Sequence, residues 1–168
     1  MILNTDGSSL GNPGRGGIAV VCDTTPMVML NIGDNVTNVQ AEWIAVIEAL
    51  RMLKKTAPKE EHEIHTDSEL VVNQLHGIYK VKSNRMLYEE AINIINEIDT
   101  IKIKHIPREH NQVADGIAKK AAKNPKANYR YFVVESQSDN ISIRKDGNIM
   151  NFSRQEALEL RKRLEDFI

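Results

Sequence analysis

The first 22 residues read MILNTDGSSLGNPGRGGIAVVC, and this stretch decides the fold. Residues 1–6 are predicted to form one strand and residues 17–22 a second strand. The glycine-rich segment between them predicts a tight turn. Another turn signal, Asp23-Thr24-Thr25-Pro26, precedes a third predicted strand at residues 27–33. Three successive strands with short connections indicate an antiparallel meander.

The pattern then changes to helices that alternate with strands. A helix of 3.6-residue period begins at Thr37-Asn38, with Asn38 as a candidate cap, and ends near Lys55. The remaining elements are predicted as a strand at 62–66, helices at 68–76 and 84–98, a strand at 100–106 and a helix that Asn111 caps and that ends near Lys123. The order βββαβααβα predicts an α/β fold. Its centre is a mixed five-stranded sheet, three antiparallel strands followed by parallel ones, with helices on its faces.

Composition excludes several classes of protein. The 168 residues are 41% hydrophobic and carry a net charge of −1, so a normal core is expected without a global basic field. Cys22 is the only cysteine, which excludes a disulfide framework and a thiolate zinc site. The N-terminal residues carry neither a basic region nor a long apolar run, so we expect no signal peptide, no membrane partner and a cytoplasmic location.

Four acidic residues stand where separate elements are expected to converge. They are Asp6, Glu42, Asp67 and Asp115. The first and fourth strands would be neighbours in the mixed sheet, which would place Asp6 beside Asp67. Close carboxylates raise each other's pKa, and divalent cations remove that penalty. Mg²⁺ prefers oxygen ligands, and two such ions can activate a water and stabilise a leaving oxygen. The cluster therefore indicates a metal-dependent phosphoryl-transfer site.

Glu42 is the most diagnostic of the four. Its helix has a polar stripe formed by Gln40, Glu48, Arg51 and Lys55, and Glu42 points nearly opposite, among apolar residues. A carboxylate on an apolar face needs a charged partner. Two interpretations remain open on this residue alone: a structural salt bridge or a metal ligand. Taken singly, the three aspartates are also typical of turns and helix starts.

These residues lie in motifs that resemble those of the ribonuclease HI family over residues 1–123, closer to its plant- and archaeal-like branch, which lacks a basic handle. The motifs are Thr5-Asp6-Gly7-Ser8-Ser9-Leu10-Gly11-Asn12-Pro13-Gly14-Arg15-Gly16-Gly17, Thr37-Asn38-x-x-Ala41-Glu42, Thr66-Asp67-Ser68 and Arg108-Glu109-His110-Asn111-x-x-Ala114-Asp115. The resemblance implies a ribonuclease H, an endonuclease that cuts the RNA strand of RNA–DNA hybrids. It implies two Mg²⁺ ions, with Mn²⁺ as a substitute, held by Asp6, Glu42, Asp67 and Asp115. The expected products carry 5′-phosphate and 3′-hydroxyl ends.

The substrate contacts follow from the same motifs. A glycine-rich turn lets the backbone approach a sugar–phosphate chain, and asparagine or threonine side chains bind phosphates or a 2′-hydroxyl. The candidate substrate-binding residues are Gly7, Ser8, Asn12, Thr37, Asn38 and Ser68. Turn and cap chemistry is the competing interpretation for the two asparagines. The family often carries an assisting histidine. The sequence distance to Asp115 favours His105, whereas a place in a mobile loop favours His110. We predict that His110 is the catalytic histidine. His62, His65 and His76 are expected at the surface.

Residues beyond 124 are expected to form a separate unit. We predict a catalytic domain at 1–124, a linker at 125–130, and a small ββα extension at 131–168. The extension is expected to hold a strand from Tyr131 to Glu135, a hairpin around 145–148 and a final helix from Ser153. The extension is neutral in charge, so it is a candidate for protein contact or dimerisation. Two other functions remain open. The chain could be a hybrid-binding or assembly module without catalysis on the same fold, or another nuclease of the superfold, such as a junction resolvase or integrase.

Overall fold

The computed structural model of the chain describes residues 1–23, 25–56, 61–130, 132–137, 140–145 and 148–153. The strands are β1 (Ile2–Gly11), β2 (Gly14–Cys22), β3 (Thr25–Val36), β4 (Glu61–Thr66), β5 (Thr100–His105), β6 (Asn128–Arg130), β7 (Phe132–Gln137), β8 (Asn140–Lys145) and β9 (Asn148–Ser153). The helices are α1 (Asn38–Thr56), α2 (Glu69–Leu75), α3 (Arg85–Ile95) and α4 (Gln112–Lys123), with a 3₁₀ turn at Arg108–His110. None of the described helices is long and apolar enough to span a membrane.

The main sheet has the strand order β5-β4-β1-β2-β3-β6. Strands β1, β2 and β3 are antiparallel, whereas β4 runs parallel to both β1 and β5. The predicted α/β fold with a mixed sheet is therefore confirmed, and so is the pairing of the first and fourth strands. A sixth strand, β6, comes from residues 128–130, which we had expected in a linker. The backbone N–H of Asn31 in β3 donates to the carbonyl of Ala127 at 2.9 Å, which brings the segment to the edge of the sheet.

Two glycines let helices rest directly on the sheet. A Cβ at Gly7 in β1 would lie 2.1 Å from the carbonyl carbon of Ala41 in α1. A Cβ at Gly17 in β2 would lie 2.1 Å from the backbone nitrogen of Ala122 in α4. Both distances are far below van der Waals contact, so the main chains of helix and strand touch where only glycine fits. These contacts set the height of α1 and α4 above the sheet.

The helix faces pack mostly as their periodicity predicts. In α4, Ala114, Ile117 and Ala118 are buried against Ala19 and Val21 of β2. On α1 the fully buried Trp43 meets Tyr88 of α3 edge to face, with ring centroids 6.1 Å apart.

Two placements on this side of the molecule were wrong. Glu48, expected on the polar stripe of α1, is buried, although Arg51 and Lys55 of that stripe are exposed. Arg51 pairs with Glu48 at 2.5 Å and also with Glu90 of α3. His62, expected at the surface, is completely buried, since β4 lies inside the sheet between β1 and β5.

The helix starts differ from the predicted caps. At α1 the cap is Thr37 rather than Asn38. The backbone N–H of Gln40 donates to the Thr37 hydroxyl at 3.2 Å, and the Thr37 N–H donates to Oε1 of Gln40 at 2.9 Å, which is a capping box. Asn111 does stand before α4, but its side chain makes no capping bond.

The chain divides into two compact units, Met1–Tyr129 and Arg130–Ile168. Within the second unit, β7, β8 and β9 form an antiparallel three-stranded sheet. Strand β7 corresponds to the strand predicted from Tyr131 to Glu135, and β8 and β9 pair with Lys145 opposite Asn148, where the hairpin was expected. The described part of the extension therefore has three strands rather than the two of a ββα unit. Ser153 ends β9, and the helix predicted to follow it lies outside the described residues.

Candidate active site

The four carboxylates come from four elements that meet at one end of the parallel strands. Asp6 lies in β1 and Asp67 directly follows β4. Because β1 and β4 are parallel with Thr5 opposite Thr66, the two aspartates occupy equivalent positions on neighbouring strands. Glu42 is in the second turn of α1 and Asp115 in the first turn of α4. Gly7 and Gly17 seat these two helices on the sheet, so the backbone itself brings all four residues to one place.

Asp6 is the centre of the cluster. It is buried, and its pKa is raised from 3.8 to about 8. Burial is the largest cause, followed by the negative charges of Asp67, Asp115 and Glu42 and by a hydrogen bond with the Asp67 side chain. A buried aspartate that is surrounded by acids carries a proton near neutral pH or needs a cation.

Glu42 is held by Ser68, the residue that precedes α2. The Ser68 hydroxyl donates to Oε2 of Glu42 at 2.5 Å. Burial raises the pKa of Glu42, the hydrogen bond from Ser68 lowers it, and the charge of Asp67 raises it again. The buried Ser68, which we predicted as a substrate contact, therefore turns its hydroxyl to a carboxylate of the cluster.

Among the described residues, Asp115 is the one member of the cluster that forms salt bridges with cationic side chains. Its Oδ1 accepts from Arg108 at 2.8 Å and its Oδ2 from Lys119 at 2.6 Å. Burial acts to raise the pKa of Asp115, but the hydrogen bonds and charges of Lys119 and Arg108 outweigh it, and the net shift is downward. Arg108 also feels the charges of Asp67 and Asp6, so its guanidinium faces the whole cluster. The sequence assigned no role to Arg108, because a residue seven positions before Asp115 and across a loop has no periodic relation to it.

Asp67 is held by Asn111. The Nδ2 of Asn111 donates to Oδ1 of Asp67 at 2.6 Å and to the carbonyl of Thr5 at 2.9 Å. Asn111 is buried. The sequence indicated only a helix cap at this position, since a long-range contact of a single amide leaves no trace in local spacing.

The donor set fits a hard divalent cation. All four candidate ligands are carboxylates, and oxygen donors suit Mg²⁺ or Mn²⁺. Across the ranges that the structure describes, no three His, Cys, Asp or Glu side chains stand in a metal-binding arrangement. In the structure, Ser68, Asn111 and the Arg108–Lys119 pair are hydrogen-bonded to oxygens of Glu42, Asp67 and Asp115, respectively. Mg²⁺ is usually bound through one or two carboxylates with waters and substrate phosphates, so these residues suit an ion that a substrate helps to hold.

The turn between β1 and β2 is tied to the start of α1 by two asparagines. Oδ1 of Asn12 accepts from the N–H of Asn38 at 3.1 Å, and Oδ1 of Asn38 accepts from the N–H of Ser9 at 3.0 Å. With both oxygens occupied, each exposed side chain presents its NH₂ group as a donor. The Thr37 hydroxyl is engaged in the capping box, and it donates to Oε1 of Gln40 at 3.0 Å. Gly7 and Ser8 lie in β1 beside Asp6, and both are partly buried.

The two candidate histidines are both exposed. His105 ends β5 opposite Thr66, and His110 ends the 3₁₀ turn just before α4. His110 stays our prediction for the assisting group. The connection from α2 to α3 is short, as expected, and its Lys80 and Lys82 are exposed.

Comparison with known proteins identifies the family. Residues 4–121 match the family described as reverse transcriptase-like. The chain is 30% identical to a Ribonuclease H of Thermoanaerobacter sp. (strain X514), over 74% of the chain and 94% of that protein. It is 32% identical to Ribonuclease HI of Halobacterium salinarum, over 69% of the chain and 61% of that protein. This chain belongs to the ribonuclease HI family.

Solved structures of the ribonuclease HI family agree with this assignment. The crystal structure of RNase H1 from Halobacterium salinarum aligns with a TM-score of 0.65 at 28% identity, over 73% of this chain and 96% of that one. LC11-RNase H1 in complex with RNA/DNA hybrid aligns with a TM-score of 0.65 at 33% identity, also over 73% and 96%. The resemblance found in the four sequence motifs is confirmed. The family match ends at residue 121, before β6 and the second unit.

Proposed function

We propose that this chain is an endonuclease that hydrolyses the RNA strand of RNA–DNA hybrids by a two-metal-ion reaction and leaves 5′-phosphate and 3′-hydroxyl ends. The ions would be Mg²⁺, with Mn²⁺ as a substitute. The observation that carries the proposal is the burial of Asp6 among three other carboxylates, which raises its pKa to about 8. Membership in the ribonuclease HI family and the likeness to an RNase H1 solved with RNA/DNA hybrid support the substrate.

Asp6, Glu42, Asp67 and Asp115 are the proposed catalytic residues and metal ligands. Bound divalent ions would lower the pKa of a water and neutralise charge on the scissile phosphate. The protein's own contribution is to fix the positions of the carboxylates. Ser68 orients Glu42, Asn111 contacts Asp67, and Arg108 and Lys119 would compete with the ions for the two oxygens of Asp115.

The substrate would lie along the β1–β2 turn. The free NH₂ groups of Asn12 and Asn38 can donate to phosphate or to a 2′-hydroxyl, the group that distinguishes RNA from DNA. Gly7, Ser8, Thr37 and Ser68 are the other proposed contacts; Thr37 and Ser68 would act mainly by holding α1 and Glu42 in position. His110 is proposed to move a proton to or from the departing 3′-oxygen, since it lies exposed at the end of the 3₁₀ turn just before α4 and an imidazole can act as a general acid or base.

A cleavage assay tests the proposal. End-labelled hybrid, duplex RNA and duplex DNA are each incubated with the full chain in Mg²⁺ and in EDTA. We expect metal-dependent cleavage of the RNA strand of the hybrid, products with 5′-phosphate ends, and intact duplex DNA. Asp67→Asn should lower kcat by about 10²-fold or more, because it removes a charge that binds the ions. Asp99→Asn is the matched control, an exposed aspartate in the turn after α3, and should cleave like the wild type. Equal rates for wild type and Asp67→Asn would end the enzymatic proposal.

A second candidate is a hybrid-binding or assembly module without catalysis. The observation in its favour is that Asp115 is already neutralised by Arg108 and Lys119, as in a structural ion-pair network. Saturable binding of hybrid that ignores divalent ions and yields no product would support this candidate. Cleavage of the DNA-only substrate would instead support a resolvase- or integrase-like activity. A cytoplasmic location and a protein contact through residues 131–168 stay predictions.

A further inference from the structure

Asn111 connects three of the four segments that carry the carboxylates. Its side chain donates to the Thr5 carbonyl, next to Asp6 in β1, and to Asp67 after β4. Its own carbonyl accepts the N–H of Asp115 at 3.0 Å in the first turn of α4. One buried residue therefore lies between β1, β4 and α4 at the point where they meet.

The chemistry of the two partners fixes the orientation of this amide. A backbone carbonyl and a carboxylate oxygen can only accept hydrogen bonds, so the side chain must direct its NH₂ group at both of them. An aspartate here would present oxygen to oxygen, and an aliphatic residue would leave both acceptors without a donor.

The other end of the amide argues against a purely structural role. Oδ1 of Asn111 is buried and has no hydrogen-bond partner among the described residues. A buried acceptor without a donor destabilises the fold. The side chain also forms no cap at the N-terminus of α4. The bond to Thr5 supports the main chain, but that support does not require the same NH₂ group to contact Asp67, a proposed ligand of the ions.

We propose that Asn111 is a positioning residue that holds the Asp67 carboxylate in the orientation required for divalent-ion binding. This inference rests on the proposed function, since it assigns Asp67 to the ions. It predicts that loss of the amide weakens metal binding rather than hybrid binding. Removal of a hydrogen-bonded neighbour of a metal ligand typically weakens metal affinity by about 10- to 100-fold.

Asn31 offers a matched control. It also uses its Nδ2 to donate to two backbone carbonyls, those of Ala121 and Ala122, at 3.0 and 3.3 Å. These carbonyls lie at the C-terminal end of α4, away from the carboxylates. Asn31→Ala therefore removes a comparable amide anchor of the same helix without touching the site.

The experiment compares wild type, Asn111→Ala and Asn31→Ala as full-length proteins. Three quantities are measured: the Kd for Mg²⁺ by calorimetry without nucleic acid, the Tm, and kcat and KM on hybrid across a range of Mg²⁺ concentrations. For Asn111→Ala we expect a Mg²⁺ Kd raised by about tenfold, a KM for hybrid near the wild-type value, and a kcat that recovers as Mg²⁺ saturates. For Asn31→Ala we expect a lower Tm and an unchanged Mg²⁺ Kd.

The Kd for Mg²⁺ decides the outcome. A rise of more than about threefold in Asn111→Ala that Asn31→Ala does not share supports the proposal. A smaller rise, or an equal rise in both variants, overturns it. If Asn111→Ala does not fold, Asn111→Ser takes its place under the same criteria. A wild type that binds Mg²⁺ but leaves hybrid intact would refute the proposed function alone, because calorimetry still reports on Asn111.

Discussion

Replacing Asp6 with asparagine should stabilise the metal-free protein, although Asp6 is the centre of the proposed site. The substitution keeps the shape of the side chain and removes its charge. In the folded protein the pKa of Asp6 is raised from 3.8 to about 8 by burial and by the charges of Asp67, Asp115 and Glu42. The folded state therefore holds a proton on Asp6 that the unfolded state has already released. Stability falls as the pH rises from about 4 to about 8, and the asparagine variant lacks this loss.

The size of the effect follows from the same pKa. Each pH unit inside this window changes the free energy of unfolding by at most about 1.4 kcal/mol, so the upper limit at pH 7.5 is about 5 kcal/mol. Water penetration and side-chain rearrangement reduce the penalty of a buried charge, and we expect the variant to gain about 1–3 kcal/mol at pH 7.5. This gain corresponds to a rise in Tm of roughly 3–10 °C. Below about pH 4 both states are protonated and the difference should vanish.

The assay is urea denaturation of wild type and Asp6→Asn in EDTA at pH 5, 6, 7 and 8. Asp99→Asn serves as the control for loss of one exposed carboxylate. The difference in free energy of unfolding between Asp6→Asn and wild type should increase with pH. The same difference for Asp99→Asn should not change with pH. Adding Mg²⁺ at pH 8 should stabilise the wild type and narrow the gap, because the ion binds the folded state. A gap that stays constant from pH 5 to 8 would refute the reasoning, as would a variant less stable than wild type at pH 8.

Three further outcomes are expected. Gly7→Ala should destabilise the fold by more than about 3 kcal/mol in urea denaturation, since its Cβ would lie 2.1 Å from a backbone atom of α1. A Cβ at Gly116 would have no atom within 4 Å, so Gly116→Ala should raise the free energy of unfolding by about 0.5–1 kcal/mol. Arg108→Ala should lower the Mg²⁺ Kd in calorimetry by roughly two- to fivefold, because it removes an exposed cation that competes with Mg²⁺ for one oxygen of Asp115. A higher Kd in the variant would contradict this reasoning. The fragment 1–130 should cleave hybrid with a kcat within about twofold of the full chain, because the four carboxylates lie in the compact unit Met1–Tyr129; loss of cleavage would assign residues beyond 130 a role in the reaction.

The order of strands and helices was predictable because it depends on local signals. Alternating apolar runs, glycine turns and a 3.6-residue period predict the order and type of β1 to β5 and α1 to α4, but β1 and β2 extend to Gly11 and from Gly14, well into the segment predicted as the turn. The neighbouring strands β1 and β4 followed from the topology of a mixed sheet, and the position of Glu42 followed from its helix face. Rules that act over a few residues of backbone were therefore sufficient to predict the order of the strands in the sheet and the convergence of the four acidic residues.

The partners of the acids were not predictable, because they act across the fold. Asn111 looks like a helix cap from its neighbours in sequence, yet its amide reaches a strand more than a hundred residues away. Arg108 and Ser68 also meet their carboxylates through loops whose paths carry no periodicity. The burial of Glu48 and His62 depends on which elements lie on either side of them, and helix or strand periodicity within one element does not report that.

The glycine contacts beneath α1 and α4 have a consequence for protein engineering. At Gly7 and Gly17 the strand backbone contacts the helix backbone. The distance of each helix from the sheet is therefore fixed by backbone atoms, which do not change with the amino-acid sequence. The distance between Asp6 and Glu42 therefore does not depend on which apolar side chains fill the rest of the core. Libraries that vary residues such as Val46, Leu53 or Ile117 could change thermal stability over a wide range and leave the geometry of the four carboxylates as it is, provided that both glycines are kept.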